Sequence, residues 1–125
     1  MSEACDGRPP GDLKQRTKSF AVRIVRLYAA LPKETAAQVI GKQLLRSGTS
    51  VGAHYRESQR SRSSAEFVSK AEVALQELEE SDYWIDLLVE CEIVPAKRLA
   101  ELKQEINELL AMLTATVKTI KGKKR

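Results

Sequence analysis

Residues 46–64 read RSGTSVGAHYRESQRSRSS, and whether this stretch is helix or loop decides the fold. It is rich in serine, holds two glycines and four arginines, and is poor in the leucines of a helix core. Its spacing nevertheless favours helix. Ile40, Leu44, Ser47, Val51, His54 and Ser58 alternate four and three residues apart, the signature of one helix face. Gly48 and Gly52 lie beside this line, one turn apart. Each glycine costs about 1 kcal/mol of helix propensity relative to alanine, and close approach of a second helix would offset that. The stretch therefore predicts helix to about Ser58, followed by a turn over QRSRSS.

The flanking segments carry the same alternation. Upstream it runs through Leu13, Thr17, Phe20, Ile24, Leu27 and Leu31, with Asp12 placed to cap the start and Pro32 after the end. Downstream it runs through Phe67, Ala71, Ala74, Leu78, Ser81, Ile85 and Leu88, opened by Ser63 and Glu66 in capping-box spacing. A fourth set comprises Leu99, Leu102, Ile106, Leu109, Leu113, Val117 and Ile120, with Pro95 at the first turn. Four long helices with short connections predict an all-α, antiparallel, up-down-up-down four-helix bundle. The expected organisation is a disordered tail over residues 1–11, the bundle over 12–121 and a basic tail over 122–125.

Composition agrees with one domain. The chain has 125 residues, 42% hydrophobic and 30% charged, with a formal net charge of +4. Cys5 and Cys91 share no motif, which suits a reduced, cytoplasmic setting. No uncharged apolar run reaches membrane-spanning length, so no membrane partner is expected. The charges fall in blocks. Residues 13–33 hold six basic residues and no acidic one, whereas 71–92 hold eight acidic residues and no basic one. The last eight residues carry five basic groups.

Two surface features follow. On the second helix Lys42, Arg46, Thr49, Ala53, Arg56 and Arg60 form a stripe about 200° from the apolar line, continued by Arg62 in the turn. Such a stripe is either a solvated face, a face neutralised by the acidic third helix, or a ridge that tracks phosphates. On the third helix Tyr83 points away from the apolar line, with Val73, Trp84 and Leu87 near it. This is either a broad core edge or a subunit interface, and the outward aromatic favours the interface.

Catalytic patterns are weak. No apolar-line position is Asp or Glu, and His54 with Glu57 has no second Glu/His pair to complete a two-metal bundle site. There is no Cys-x-x-Cys and no glycine-rich loop after a strand. No catalytic residue, metal or cofactor is assigned, and an enzyme is not expected. His54 reads as a packed or hydrogen-bonded side chain.

The stretch RSGTSVGAHYRESQRSRSSAEFVSKAEVAL, followed by QELEESDYWIDLLVECEIVP, resembles the bacterial four-helix bundle family named after the 23S rRNA intervening sequence, also called S23 ribosomal protein. The resemblance rests on Ser50, Val51, Tyr55, Arg56 and Glu57, then Ser63, Glu66 and Phe67, then Glu77, Glu80, Tyr83 and Trp84. Many members carry asparagine where this chain has His54. The resemblance implies a four-helix bundle, a ring-shaped homopentamer and no enzymatic activity. A related branch resembles the accessory protein of diversity-generating retroelements, which binds nucleic acid.

The resulting expectation is an oligomer that binds RNA, or DNA less readily, through Lys42, Arg46, Arg56, Arg60 and Arg62. Lys118, Lys121, Lys123, Lys124 and Arg125 would add a basic arm. The alternative is a protein-binding scaffold in which the arginines of the second helix face Glu72, Glu77, Glu79, Glu80, Asp82 and Asp86.

Overall fold

The structure, a computed structural model, describes residues 13–123. Helix α1 spans Leu13–Ala30, α2 Thr35–Gln59, α3 Ser64–Glu90 and α4 Ala96–Lys123. The stretch 46–64 is helix as far as Gln59. Gly122 and Lys123 continue α4 as helix, beyond the bundle end expected at residue 121.

The turns are set locally. Between α1 and α2, Gln38 donates to the Pro32 carbonyl at 2.8 Å and accepts from the Tyr28 hydroxyl at 2.8 Å, tying the turn to both helices. At the start of α3 the Glu66 amide donates to Ser63 Oγ at 3.1 Å. The Glu66 carboxylate reaches back one residue further than in a capping box, accepting from the Arg62 amide at 2.9 Å. At the end of α3, Glu92 adopts φ 60° while the amides of Glu92 and Ile93 donate to Val89 and Leu88 carbonyls. This is a Schellman ending with glutamate where glycine is the usual occupant.

Contacts between helices run in opposing residue order. Thr17, Ile24 and Tyr28 of α1 meet Gly52, Gly48 and Gly41 of α2 in turn. Ser47 and Glu57 of α2 meet Ser81 and Lys70 of α3. Lys103 and Lys121 of α4 meet Asp86 and Glu72 of α3. Each helix is thus antiparallel to the next, and the chain closes a bundle where α1 meets α4.

The core follows the predicted spacing. Phe20 and Ile24, Leu44 and Val51, Leu78 and Ile85, and Ile106, Leu109 and Leu113 are all buried. Each such side chain stabilises the fold by about 1.5–3 kcal/mol. On α2 the buried arc is turned relative to the predicted line. Ile40 and His54 are half-buried, while Gly41 and Tyr55 are buried. The reason is that α2 lies between two neighbours, α1 on its glycine side and α3 on its Ser47 side.

Candidate nucleic-acid interface

The antiparallel topology collects at one end of the bundle the start of α1, the end of α2, the α2–α3 turn and the end of α4. Lys14, Arg56, Arg60, Arg62, Lys118 and Lys121 are exposed there. Lys14, Arg56 and Arg60 line a shallow cleft with Gln59 and Glu57. Lys14 was not among the predicted carriers. The signal for it was the acid-free run 13–33, which becomes informative once α1 is known to be antiparallel to α2.

The cations divide by partner. Arg46 is held by two carboxylates of α3, Glu77 at 3.3 Å and Glu80 in a shorter contact. Those carboxylates raise the pKa of Arg46, with Glu80 the main cause. Lys121 pairs with Glu72 at 3.2 Å. Lys42, Arg56, Arg60, Arg62 and Lys118 have no acidic side-chain partner among the described residues. Glu57, the one acid among the described residues of the cleft, is turned to Lys70 at 3.3 Å, and that contact chiefly, with His54 next, lowers its pKa. The predicted stripe is therefore interrupted. Thr49 donates to the Leu45 carbonyl and is half-buried, and Arg46 belongs to the α2–α3 contact. Lys42 lies 14 residues, about 21 Å of helix, from Arg56. The side chain of Lys123, and all of Lys124 and Arg125, lie outside the described residues, as does the tail expected over 1–11.

His54 sits between α2 and α3. Its Nδ1 is buried without a hydrogen-bond partner, 3.5 Å from Glu57, and its Nε2 is 3.9 Å from Glu77. It lies next to the ion-paired surface and outside the basic cleft. Among the described residues no group of three or more His, Cys, Asp or Glu is placed to hold a metal ion. No described helix is long and apolar enough to cross a membrane.

The predicted interface residues lie on α3. Tyr83 is 56% exposed. Trp84 stacks edge-on against it with centroids 4.9 Å apart and donates its indole N–H to Glu80 at 2.9 Å. Val73, Trp84 and Leu87 are half-buried, so Tyr83 is the most outward of the four.

Four helices around an apolar core, with a cationic end, define a small all-α bundle. Residues 12–115 match the family described as 23S rRNA-intervening sequence protein, and the chain belongs to that family. It is also similar to the crystal structure of a protein of unknown function from the S23 ribosomal protein family of Bacteroides thetaiotaomicron VPI-5482. The two are 38% identical, the match covers 85% of this chain and 98% of that one, and the TM-score is 0.80. No curated protein matches this chain.

Proposed function

We propose that the chain is a non-catalytic, self-associating bundle whose basic end holds the phosphates of a nucleic acid, RNA ahead of DNA. The observation that carries this is the cleft of Lys14, Arg56 and Arg60, in which the one acid among the described residues is engaged elsewhere. Three cations around one concavity suit a phosphodiester backbone and offer no base-reading aromatic, so the contacts are independent of sequence. The 23S rRNA in the family description makes RNA the first probe. Self-association, with five copies as the number the resemblance implies, would repeat the basic end around an assembly and raise avidity.

The test is fluorescence anisotropy with a labelled single-stranded RNA of mixed sequence across a salt series. Affinity should fall with salt, with a slope of log K against log salt of about −0.7 per phosphate neutralised. The double substitution Arg56→Gln/Arg60→Gln should flatten the slope and weaken all sequences alike. Arg46→Gln, which sits in the α2–α3 ion pair, should leave the slope unchanged. Absence of binding at low salt by the intact assembly overturns the reading. The scaffold alternative, a protein partner and no nucleic acid, is favoured by one observation, the commitment of Arg46 to Glu77 and Glu80.

A further inference from the structure

The outward faces of α1 and α3 have matching patterns and opposite charge. On α1, Lys18, Val22 and Arg26 are exposed at successive four-residue spacings, with Val25 beside them. Val22 is 40% and Val25 47% exposed. On α3, Glu79, Tyr83 and Glu90 are exposed at spacings of four and seven. Residues of both faces share one surface of their helix by the 3.6-residue period. Lys18, Arg26, Glu79 and Glu90 have no ion-pair partner among the described residues, unlike Arg16, Glu80 and Asp86 on the same helices. Each face is thus an apolar centre between uncompensated charges, basic on α1 and acidic on α3. Because each helix packs against its chain neighbours, α1 and α3 are diagonal, and their outer faces look in opposite directions.

We propose that the α1 face of one copy docks on the α3 face of a second copy, making a head-to-tail contact. This rests on the self-association proposed above and names its surfaces. Charge decides the symmetry. A two-fold contact through α1 would set cations against cations, and one through α3 would set carboxylates against carboxylates. Only the mixed contact pairs Lys18 and Arg26 with Glu79 and Glu90 while covering Val22, Val25 and Tyr83. Each copy then gives one face and receives on the other, so the contact is heterologous and repeats from copy to copy.

Two charge-reversal variants test it, Lys18→Glu/Arg26→Glu and Glu79→Lys/Glu90→Lys. All four positions are exposed, and circular dichroism melts check that each variant keeps its fold. Light scattering should show an assembled wild type and two variants each reduced to about the 13.9 kDa chain mass. Mixing the two variants in equal amounts should restore association, because reversed α1 now complements reversed α3. A monomeric wild type at micromolar concentration overturns self-association and this contact with it. An assembled wild type with either variant still assembled, or with no recovery on mixing, overturns the α1-to-α3 contact alone. An α1 variant that stays assembled but loses RNA assigns that face to nucleic acid, and also overturns the contact.

Discussion

Helix α2 meets its two neighbours in different ways. Against α1 it presents glycine. A Cβ at Gly41, Gly48 or Gly52 would come within 2.6, 2.7 and 3.1 Å of Leu31, Ile24 and Thr17 respectively. Against α3 it presents polar atoms. Ser47 and Ser81 hydroxyls meet at 2.8 Å in the buried layer, and Arg46 and Glu57 reach Glu77, Glu80 and Lys70 at the surface. The first contact is specified by shape: a methyl group added at Gly41 or Gly48 would collide with a neighbour, and one at Gly52 would be crowded. The second is specified by hydrogen bonds, where register is fixed by which groups must be satisfied. Shape should therefore be intolerant of size and indifferent to pH, and the polar contact should behave in the reverse manner.

The sharpest break falls on the glycine side. Gly48→Val should destabilise the bundle by about 3 kcal/mol, because its nearest neighbours are the Cγ1, Cγ2 and Cβ of buried, β-branched Ile24, which cannot swing aside. Chemical denaturation reads this directly. Gly52→Ala is the control on the same line. Its nearest atom is Thr17 Oγ1 at 3.1 Å, and the gain in helix propensity of about 1 kcal/mol offsets the crowding, so stability should stay within about 1 kcal/mol of wild type. Equal, large losses at both positions would show that the seam is uniformly tight.

On the α3 side a smaller effect with a diagnostic sign is expected. Ser47→Ala should cost about 1 kcal/mol, since Ser81 keeps only its bond to the Glu77 carbonyl. Adding Ser81→Ala should recover much of that loss. Additive losses in the double-mutant cycle would mean that the hydroxyl pair contributes nothing as a pair.

Acid should act next on two ion-paired carboxylates, Glu80 at the α2–α3 contact and Glu108 at the α1–α4 contact. The Glu80 carboxyl is held below the ordinary carboxylate range by Arg46 first and Trp84 second. Glu108 is held low by Arg16 first and Gln104 second. A carboxylate with a depressed folded pKa contributes stability above its unfolded value, near pH 4.3, and loses it as pH falls through the folded value. Between pH 5 and 3 the wild type should lose more melting temperature than Glu80→Gln/Glu108→Gln. Both groups are largely solvated, so the difference is small, and parallel curves would remove these pairs from the acid response. Smallest of all is Arg46→Gln at neutral pH, which should change stability by less than about 1 kcal/mol, and less still at high salt.

Much of the fold was legible because each helix carries its own period. The alternation of four and three marked Phe20, Leu78 and Ile106 as core without reference to any other helix, and those side chains are buried. Gly48 and Gly52 were legible as close-approach sites. Gly41 was not, because Ile40 occupied the slot that the alternation reserves for an apolar side chain, whereas the backbone turns Gly41 to Tyr28 and Leu31. The basic stripe was harder for a different reason. Whether Arg46 faces solvent or acid depends on the register of α2 against α3, which no periodicity within α2 contains. Two expectations competed there, and Arg46 meets Glu77 and Glu80 as the scaffold alternative anticipated. Lys14 and the Arg56–Arg60 pair come from separate helices and acquire a common cleft only through topology.

The meeting of α1 with α4 bears on how the bundle comes together. The extensive contacts all join helices consecutive in the chain, and α1 touches α4 less than any consecutive pair touch each other. Arg16 supplies a clamp across that junction, bonding both oxygens of Glu105 at 2.6 and 3.1 Å and Glu108 at 2.7 Å, at a sequence separation of 89 from Glu105. Every other step can be taken between neighbours, by hairpins of adjacent helices that close short loops. The chain therefore has a low contact order, the property of fast-folding helical proteins. The closure of α1 on α4, through the part-buried Arg16 guanidinium and the carboxylates of Glu105 and Glu108, can form last and open first without dismantling the three helical hairpins beneath it.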